Sequence, residues 1–136
     1  MNAEHDQILV VDFGSQVTQL IARRIRELSV YCEIHPFNSI DVSFLERFKP
    51  KGIILSGGPA SVHGAEAPVA HDSIFELNVP ILGICYGEQT LVQQLGGDVQ
   101  ASDHREFGRA FVEIKKSCSL FENIWTPGNR YEVWMS

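Results

Sequence analysis

Val79-Pro80-Ile81-Leu82-Gly83-Ile84-Cys85-Tyr86-Gly87-Glu88-Gln89-Thr90-Leu91-Val92-Gln93-Gln94-Leu95 is the stretch that decides the fold. An apolar run, Val79 to Leu82, leads into Gly83-Ile84-Cys85-Tyr86-Gly87, and Glu88 to Leu95 reads as a helix. Strand, sharp turn and helix, with a cysteine between two glycines, make a nucleophile elbow, the cysteine counterpart of G-x-S-x-G. The glycines relieve crowding at a tight turn and admit positive φ. The helix start supplies unpaired N–H groups and the positive end of a dipole, which favour the reactive thiolate. The same residues also suit a buried cysteine at a strand end with glycines for packing, and the motif alone leaves that alternative open.

Upstream, Ile8-Leu9-Val10-Val11-Asp12 is a short apolar run ending in a polar residue, as expected of a strand buried on both faces. Ser15 to Ser29 reads as an amphipathic helix with Val17, Leu20, Ile21, Ile25 and Leu28 on one side. Val30 to His35 is a second strand closed by Pro36, and Asp41 to Phe48 a short helix ended by Lys49-Pro50. Gly52 to Ser56 is a third strand, running into Gly57-Gly58-Pro59-Ala60-Ser61. A helix is expected from Pro68 to just before Val79. Strands alternating with helices imply a mostly parallel sheet with helices on both faces, a three-layer, flavodoxin-like α/β fold. After Gly96-Gly97, Asp98 to Ser102, Arg109 to Lys115 and Tyr131 to Ser136 read as shorter strands, some of them antiparallel additions. The chain ends at Ser136 straight after a strand-like run, as expected of a domain truncated at its C-terminus.

The chain has 136 residues, 44% hydrophobic and 21% charged, the profile of one soluble globular domain or part of one. A net charge of −6 argues against a dedicated nucleic-acid surface. Arg23, Arg24 and Arg26 read as a solvated helix face. No apolar stretch is long enough for a membrane span, and the first residues do not read as a signal peptide. A cytoplasmic protein is therefore expected, with Cys32, Cys85 and Cys118 as free thiols and no zinc site.

Ligands of open α/β sheets bind outside the carboxyl ends of the strands. Asp12-Phe13-Gly14-Ser15-Gln16, Ser56-Gly57-Gly58-Pro59 and the Cys85 elbow all fall there. Acyl chemistry by a thiolate needs two donors for the developing oxyanion. The N–H of Tyr86 is one candidate and that of Gly58 the other; a plain strand-to-helix turn is the alternative for the glycine loop. Asp12-Phe13-Gly14 shares its letters with the kinase metal motif but lacks every companion of it, and reads as a turn with Ser15 as helix N-cap. A thiolate also needs a base, most often His. Of His5, His35, His63, His71 and His104, none falls clearly beside Cys85; His63, near the glycine loop, comes nearest.

With these residues in view, the chain resembles class I (triad-type) glutamine amidotransferase domains, through Ser56-Gly57-Gly58-Pro59 and Gly83-Ile84-Cys85-Tyr86-Gly87-Glu88-Gln89. It is similar, more narrowly, to the N-terminal amidotransferase domain of the glutamine-hydrolysing GMP synthase family. That likeness comes from Val11 to Gln16, Gln19 to Arg24, Leu55 to Val62, Arg105 to Ala110 and Val133 to Ser136, and fades between Lys116 and Glu132.

The resemblance implies Cys85 as nucleophile on the glutamine side-chain carbonyl, with the N–H groups of Gly58 and Tyr86 as oxyanion hole. Gly57, Gly58, Pro59, Ala60 and Gln89 would hold L-glutamine, and Ser136 its α-amino or carboxylate end. Glu88 stands where the family often has Met; its charge in the first helical turn suits the helix and opposes the thiolate. The family places its catalytic His and Glu beyond the position of Ser136, followed by an ATP pyrophosphatase domain of the same polypeptide. That domain uses ATP and magnesium to adenylate XMP, which ammonia then converts to GMP. Residues 1–136 are thus expected to be an incomplete amidotransferase domain, with no cofactor of its own and little activity alone, in a full-length enzyme that forms homodimers. The alternatives are a glutamine-binding or docking fragment, or an amidotransferase subunit of anthranilate or carbamoyl phosphate synthesis. Arg105 to Ala110 and Asp12 to Gln16 speak against the latter.

Overall fold

A computed structural model describes residues 5–101 and 107–135. The described chain divides into two compact units, Met1–Val99 and Gln100–Ser136. The first holds strands β1 (Gln7–Asp12), β2 (Tyr31–Pro36), β3 (Gly52–Leu55) and β4 (Ile81–Gly83). Its helices are α1 (Thr18–Glu27), α2 (Val42–Phe48) and α3 (Tyr86–Gln94). The four strands form one parallel sheet in the order β2-β1-β3-β4. The register sets Gln7 opposite Tyr31, Ile8 opposite Gly52 and Ile53 opposite Ile81.

The strands read as apolar runs because both faces of the sheet are covered. On one face Leu9, Val11, Ile53 and Leu55 pack with Leu45 and Phe48 of α2, with Ile74, and with Tyr86 of α3. On the other, Val10 and Cys32 pack with Ala22 of α1. Leu9, Val11 and Leu55 are wholly buried, each side chain contributing about 1.5–3 kcal/mol relative to exposure. Asp41 caps α2 by accepting from the Phe44 N–H at 2.8 Å, and Lys49 ends it in the left-handed region at φ 52°.

Four expectations are corrected. No α-helix forms between Pro68 and Val79; Asp72–Glu76 is a 3-10 turn, with His71 accepting from the Ser73 N–H at 3.2 Å. The segment is tied to α3 at Pro68 and Ala70, which leaves no room for a continuous helix. Second, Ser15 does not cap α1: Val17 holds the cap position, and Ser15 Oγ instead accepts from the Val17 N–H at 3.0 Å. Third, the apolar stripe of α1 is rotated. Thr18 and Ala22 are the buried residues, because small side chains let the helix approach the sheet, while Val17, Leu20 and Leu28 are exposed. Fourth, residues 98–101 are not a strand; Ser102 lies outside the described residues.

The second unit pairs β5 (Gly108–Glu113) with β6 (Arg130–Met135) as an antiparallel hairpin, Gly108 opposite Met135 and Glu113 opposite Arg130. Between the strands, Trp125 stacks on Tyr131 at 5.2 Å, and Gly128, at φ 89°, donates its N–H to the Ile114 carbonyl at 2.7 Å. No helix among the described residues is long and apolar enough to cross a membrane.

Candidate active site

β4 delivers the elbow. The ladder runs one residue past the strand, with the Ile84 N–H donating to the Leu55 carbonyl at 2.9 Å. The chain then turns sharply at Cys85, whose φ of 54° and ψ of −120° lie outside the ordinary regions for a residue with a side chain. Such backbone strain, about 1–3 kcal/mol, persists only where the surroundings hold it. Gly87 N–H to Ile84 O at 3.0 Å and Gln89 N–H to Cys85 O at 3.2 Å close the first turn of α3. The flanking glycines serve space rather than positive φ. A Cβ on Gly83 would lie 2.6 Å from the Glu88 Cα, and one on Gly87 would strike the Leu55 carbonyl and come within 2.7 Å of Ser56 O. The turn leaves Cys85 exposed, whereas Cys32 is buried.

The glycine loop after β3 lies against this elbow. A Cβ on Gly57 would sit 3.3 Å from the Cys85 Cβ and 3.6 Å from Ser15 Oγ. Gly58 abuts Phe13: a Cβ there would be 2.9 Å from the Phe13 carbonyl carbon and 3.0 Å from its Cβ. Gly14, at φ 98°, lies under the ring of Pro59. The ends of β1, β3 and β4 therefore meet at one edge of the sheet. Among the described residues, neither the Gly58 N–H nor the Tyr86 N–H donates a backbone hydrogen bond. An exposed thiol beside two available N–H donors is the equipment for attack on a carbonyl whose oxygen gains charge.

Buried groups fix the loops. Ser56 Oγ, wholly buried, donates to the Val11 carbonyl at 2.8 Å and lies 3.1 Å from Thr18 Oγ1. Thr18 in turn donates to Asp12 Oδ1 at 3.2 Å, and the same oxygen accepts the Gly14 N–H at 2.8 Å. The ring of Tyr86 packs edge-on against Phe13 at 5.4 Å, and its hydroxyl donates to the Pro68 carbonyl. Burial pushes the Tyr86 phenol above its ordinary pKa, against a hydrogen bond with Thr90. Gln94 grips Ala70 through both ends of its amide, accepting from its N–H at 2.9 Å and donating to its carbonyl at 2.7 Å.

The family model for class-I glutamine amidotransferases matches residues 9–136. This chain belongs to the class-I glutamine amidotransferase family. The glutamine-hydrolysing GMP synthase of Nitrobacter hamburgensis is 64% identical over 132 residues, covering 97% of this chain and 24% of the relative. That of Rhodopseudomonas palustris is 62% identical over 134 residues, covering 98% and 25%. The chain thus spans about a quarter of the length of these relatives. Among solved structures, a candidate GMP synthase component from Thermoplasma acidophilum superposes with a TM-score of 0.71 at 32% identity, covering 98% of this chain and 65% of the other. A glutamine amidotransferase of Thermotoga maritima, at 19% identity and a TM-score of 0.68, shares the fold over 97% of this chain and 60% of its own.

Of the residues singled out from the sequence, Gly57 lies against Cys85, Gly58 lies against Phe13, and the Phe13 ring packs on Tyr86. Pro59 is exposed, Ala60 is half-buried against the core, and Gln89 is exposed in the first turn of α3 beside Glu88. Ser136, His104, Arg105 and Glu106 lie outside the described residues. Two of the other histidines are engaged and two are exposed. His35 contacts Glu33 Oε1 at 3.0 Å and packs on Phe44; His71 serves the 3-10 turn; His5 and His63 are exposed. Among the described residues no group of three His, Cys, Asp or Glu side chains is gathered as a metal ion needs. Sequence reasoning missed Thr18, Gln94 and the link from Asp12 to Ser56, because each residue type has an ordinary role in helix starts and surfaces. The only advance signal was a threonine on the side of α1 that must face the sheet.

Proposed function

We propose that this chain is the glutaminase part of a GMP synthase, releasing ammonia from L-glutamine for the conversion of XMP to GMP. The observation that carries the reading is Cys85, held at positive φ beside Gly57, with the Tyr86 and Gly58 N–H groups making no backbone hydrogen bond. The thiolate of Cys85 adds to the side-chain amide carbon of glutamine, and the oxygen takes up the charge between the two N–H donors. The C–N bond then breaks, nitrogen leaves as ammonia with an added proton, and a thioester remains. Water cleaves it to glutamate and the free thiol. Gly57 to Ala60, Gln89 and Ser136 are assigned to glutamine. The proton transfers are assigned to the family's His and Glu. ATP and magnesium are assigned to a synthetase part of the same protein; the relatives are GMP synthases of which this chain spans about a quarter.

The test uses the natural full-length protein with XMP, ATP and magnesium, and either glutamine or ammonium as nitrogen source. Cys85→Ala should abolish glutamine-dependent GMP formation and leave the ammonium-dependent reaction intact. Glutamine-dependent synthesis by the variant would remove Cys85 from the mechanism. Release of glutamate without GMP from XMP would keep the amidotransferase assignment and refute the narrower one.

A further inference from the structure

We infer that Thr18, acting through Ser56, is a positioning residue for the glycine loop that bears the Gly58 N–H. The inference rests on the oxyanion-hole role proposed for that N–H. Thr18 is the first residue of α1 and only 2% exposed. Its hydroxyl caps no N–H of its own helix. It lies instead between Asp12 Oδ1, at 3.2 Å, and Ser56 Oγ, at 3.1 Å. Ser56 is the last residue before Gly57-Gly58.

Each hydroxyl has one proton and two lone pairs. The Ser56 hydroxyl gives its one proton to the Val11 carbonyl at 2.8 Å, so its bond with Thr18 at 3.1 Å takes the Thr18 proton, which Asp12 Oδ1, at 3.2 Å, shares. The result is a directed chain, Thr18 to Ser56 to the Val11 carbonyl, whose first hydroxyl also faces the Asp12 oxygen that holds the Gly14 N–H at 2.8 Å. The ends of β1 and β3 and the start of α1 are thereby tied together. Beyond Ser56, Gly57 and Gly58 carry no side chains to hold the loop. Their placement matters because a displacement of about 1 Å in a reacting constellation can lower rates about 10²-fold.

Thr18→Val keeps the shape and deletes the hydroxyl. In the natural full-length protein it should lower kcat for glutamine hydrolysis about 10- to 100-fold with little change in KM. Thr18→Ser should restore most of the loss. Alkylation of Cys85 by iodoacetamide is displacement at a saturated carbon and needs no oxyanion hole, so its rate should stay within about twofold. This split is what a merely structural threonine would not produce. Ser56→Ala, which cuts the same link from the other end, should show the same split.

Equal loss of alkylation and turnover would place the damage in the elbow or the fold and overturn the proposal. Unchanged turnover in folded Thr18→Val would also overturn it, as would unfolding of both Thr18→Val and Ser56→Ala. If Cys85→Ala retains turnover, the oxyanion-hole reading itself falls, an outcome separate from any result at Thr18.

Discussion

Gly58→Ala separates a backbone role from a side-chain role. The added Cβ would lie 2.9 Å from the Phe13 carbonyl carbon and 3.0 Å from the Phe13 Cβ, with the carbonyl oxygen closer still. Carbon atoms at rest stand about 3.5–4.0 Å apart. Either the loop or Phe13 must therefore retreat by about 0.5–1 Å. Phe13 cannot easily yield, because it is 3% exposed and wedged between the rings of Phe37 at 5.6 Å and Tyr86 at 5.4 Å. The displacement falls on the loop and moves the Gly58 N–H, the oxyanion donor proposed above. Losing one oxyanion donor lowers kcat about 10²–10³-fold, or about 2.7–4 kcal/mol of transition-state stabilisation. Bulkier Gly58→Val should be at least as damaging. Glutamate release under saturating glutamine measures the effect, and ammonium-dependent GMP formation should be untouched. Full glutamine-dependent activity in Gly58→Ala would show that Gly58 is a turn residue only. Loss of the ammonium reaction as well would show that the fold had failed.

Limited iodoacetamide treatment followed by peptide mapping should label Cys85 first. Cys118 is also exposed and so is the informative rival, while buried Cys32, its Sγ 3.5 Å from the Ala22 carbonyl, should label last. Gln94→Leu removes both bonds to Ala70 and leaves a backbone pair to find water; stability should fall by about 1–3 kcal/mol, read from denaturant midpoints. The Tyr31 hydroxyl, at 2.6 Å, and then the His35 imidazole hold the Glu33 carboxyl below its ordinary 4.5, against desolvation. Because the folded value is depressed, Glu33 adds stability that is present above pH 4.5 and is lost as pH falls below it. Carboxyl titration by NMR should place Glu33 in that lower window, and Tyr31→Phe should move it upward.

The parallel sheet was legible because buried strands leave an unmistakable mark: Ile8 to Val11 and Ile53 to Leu55 are apolar at every position, as only a two-sided core requires. The elbow was legible because its glycines are sterically obligatory, Gly83 against Glu88 and Gly87 against Leu55. Pro68 misled because a good first helical residue says nothing of the Tyr86 and Gln94 contacts that hold its neighbourhood in another shape. Residues 98–101 misled because short strand-like texture forms strand only where a partner edge accepts it. For α1, counting every apolar residue overlooked that the closest approach to the sheet selects the smallest, Thr18 and Ala22. The contacts among Ser56, Thr18 and Asp12 join the loop after β3 to the start of α1 and the end of β1, and no local pattern encodes the meeting of Ser56 with Thr18, 38 residues away.

Where Gly87 meets the carbonyls of Leu55 and Ser56, nothing thicker than main chain separates α3 from β3. Cys85 stands at the cap of the first of these elements and the glycine loop issues from the second, so no soft side-chain layer lies between the two to flex on warming. Heating should accordingly leave the spacing of thiol and loop nearly constant until the sheet itself gives way. Catalytic competence and the folded state would then vanish together, in one cooperative event rather than by gradual loosening of a mobile rim.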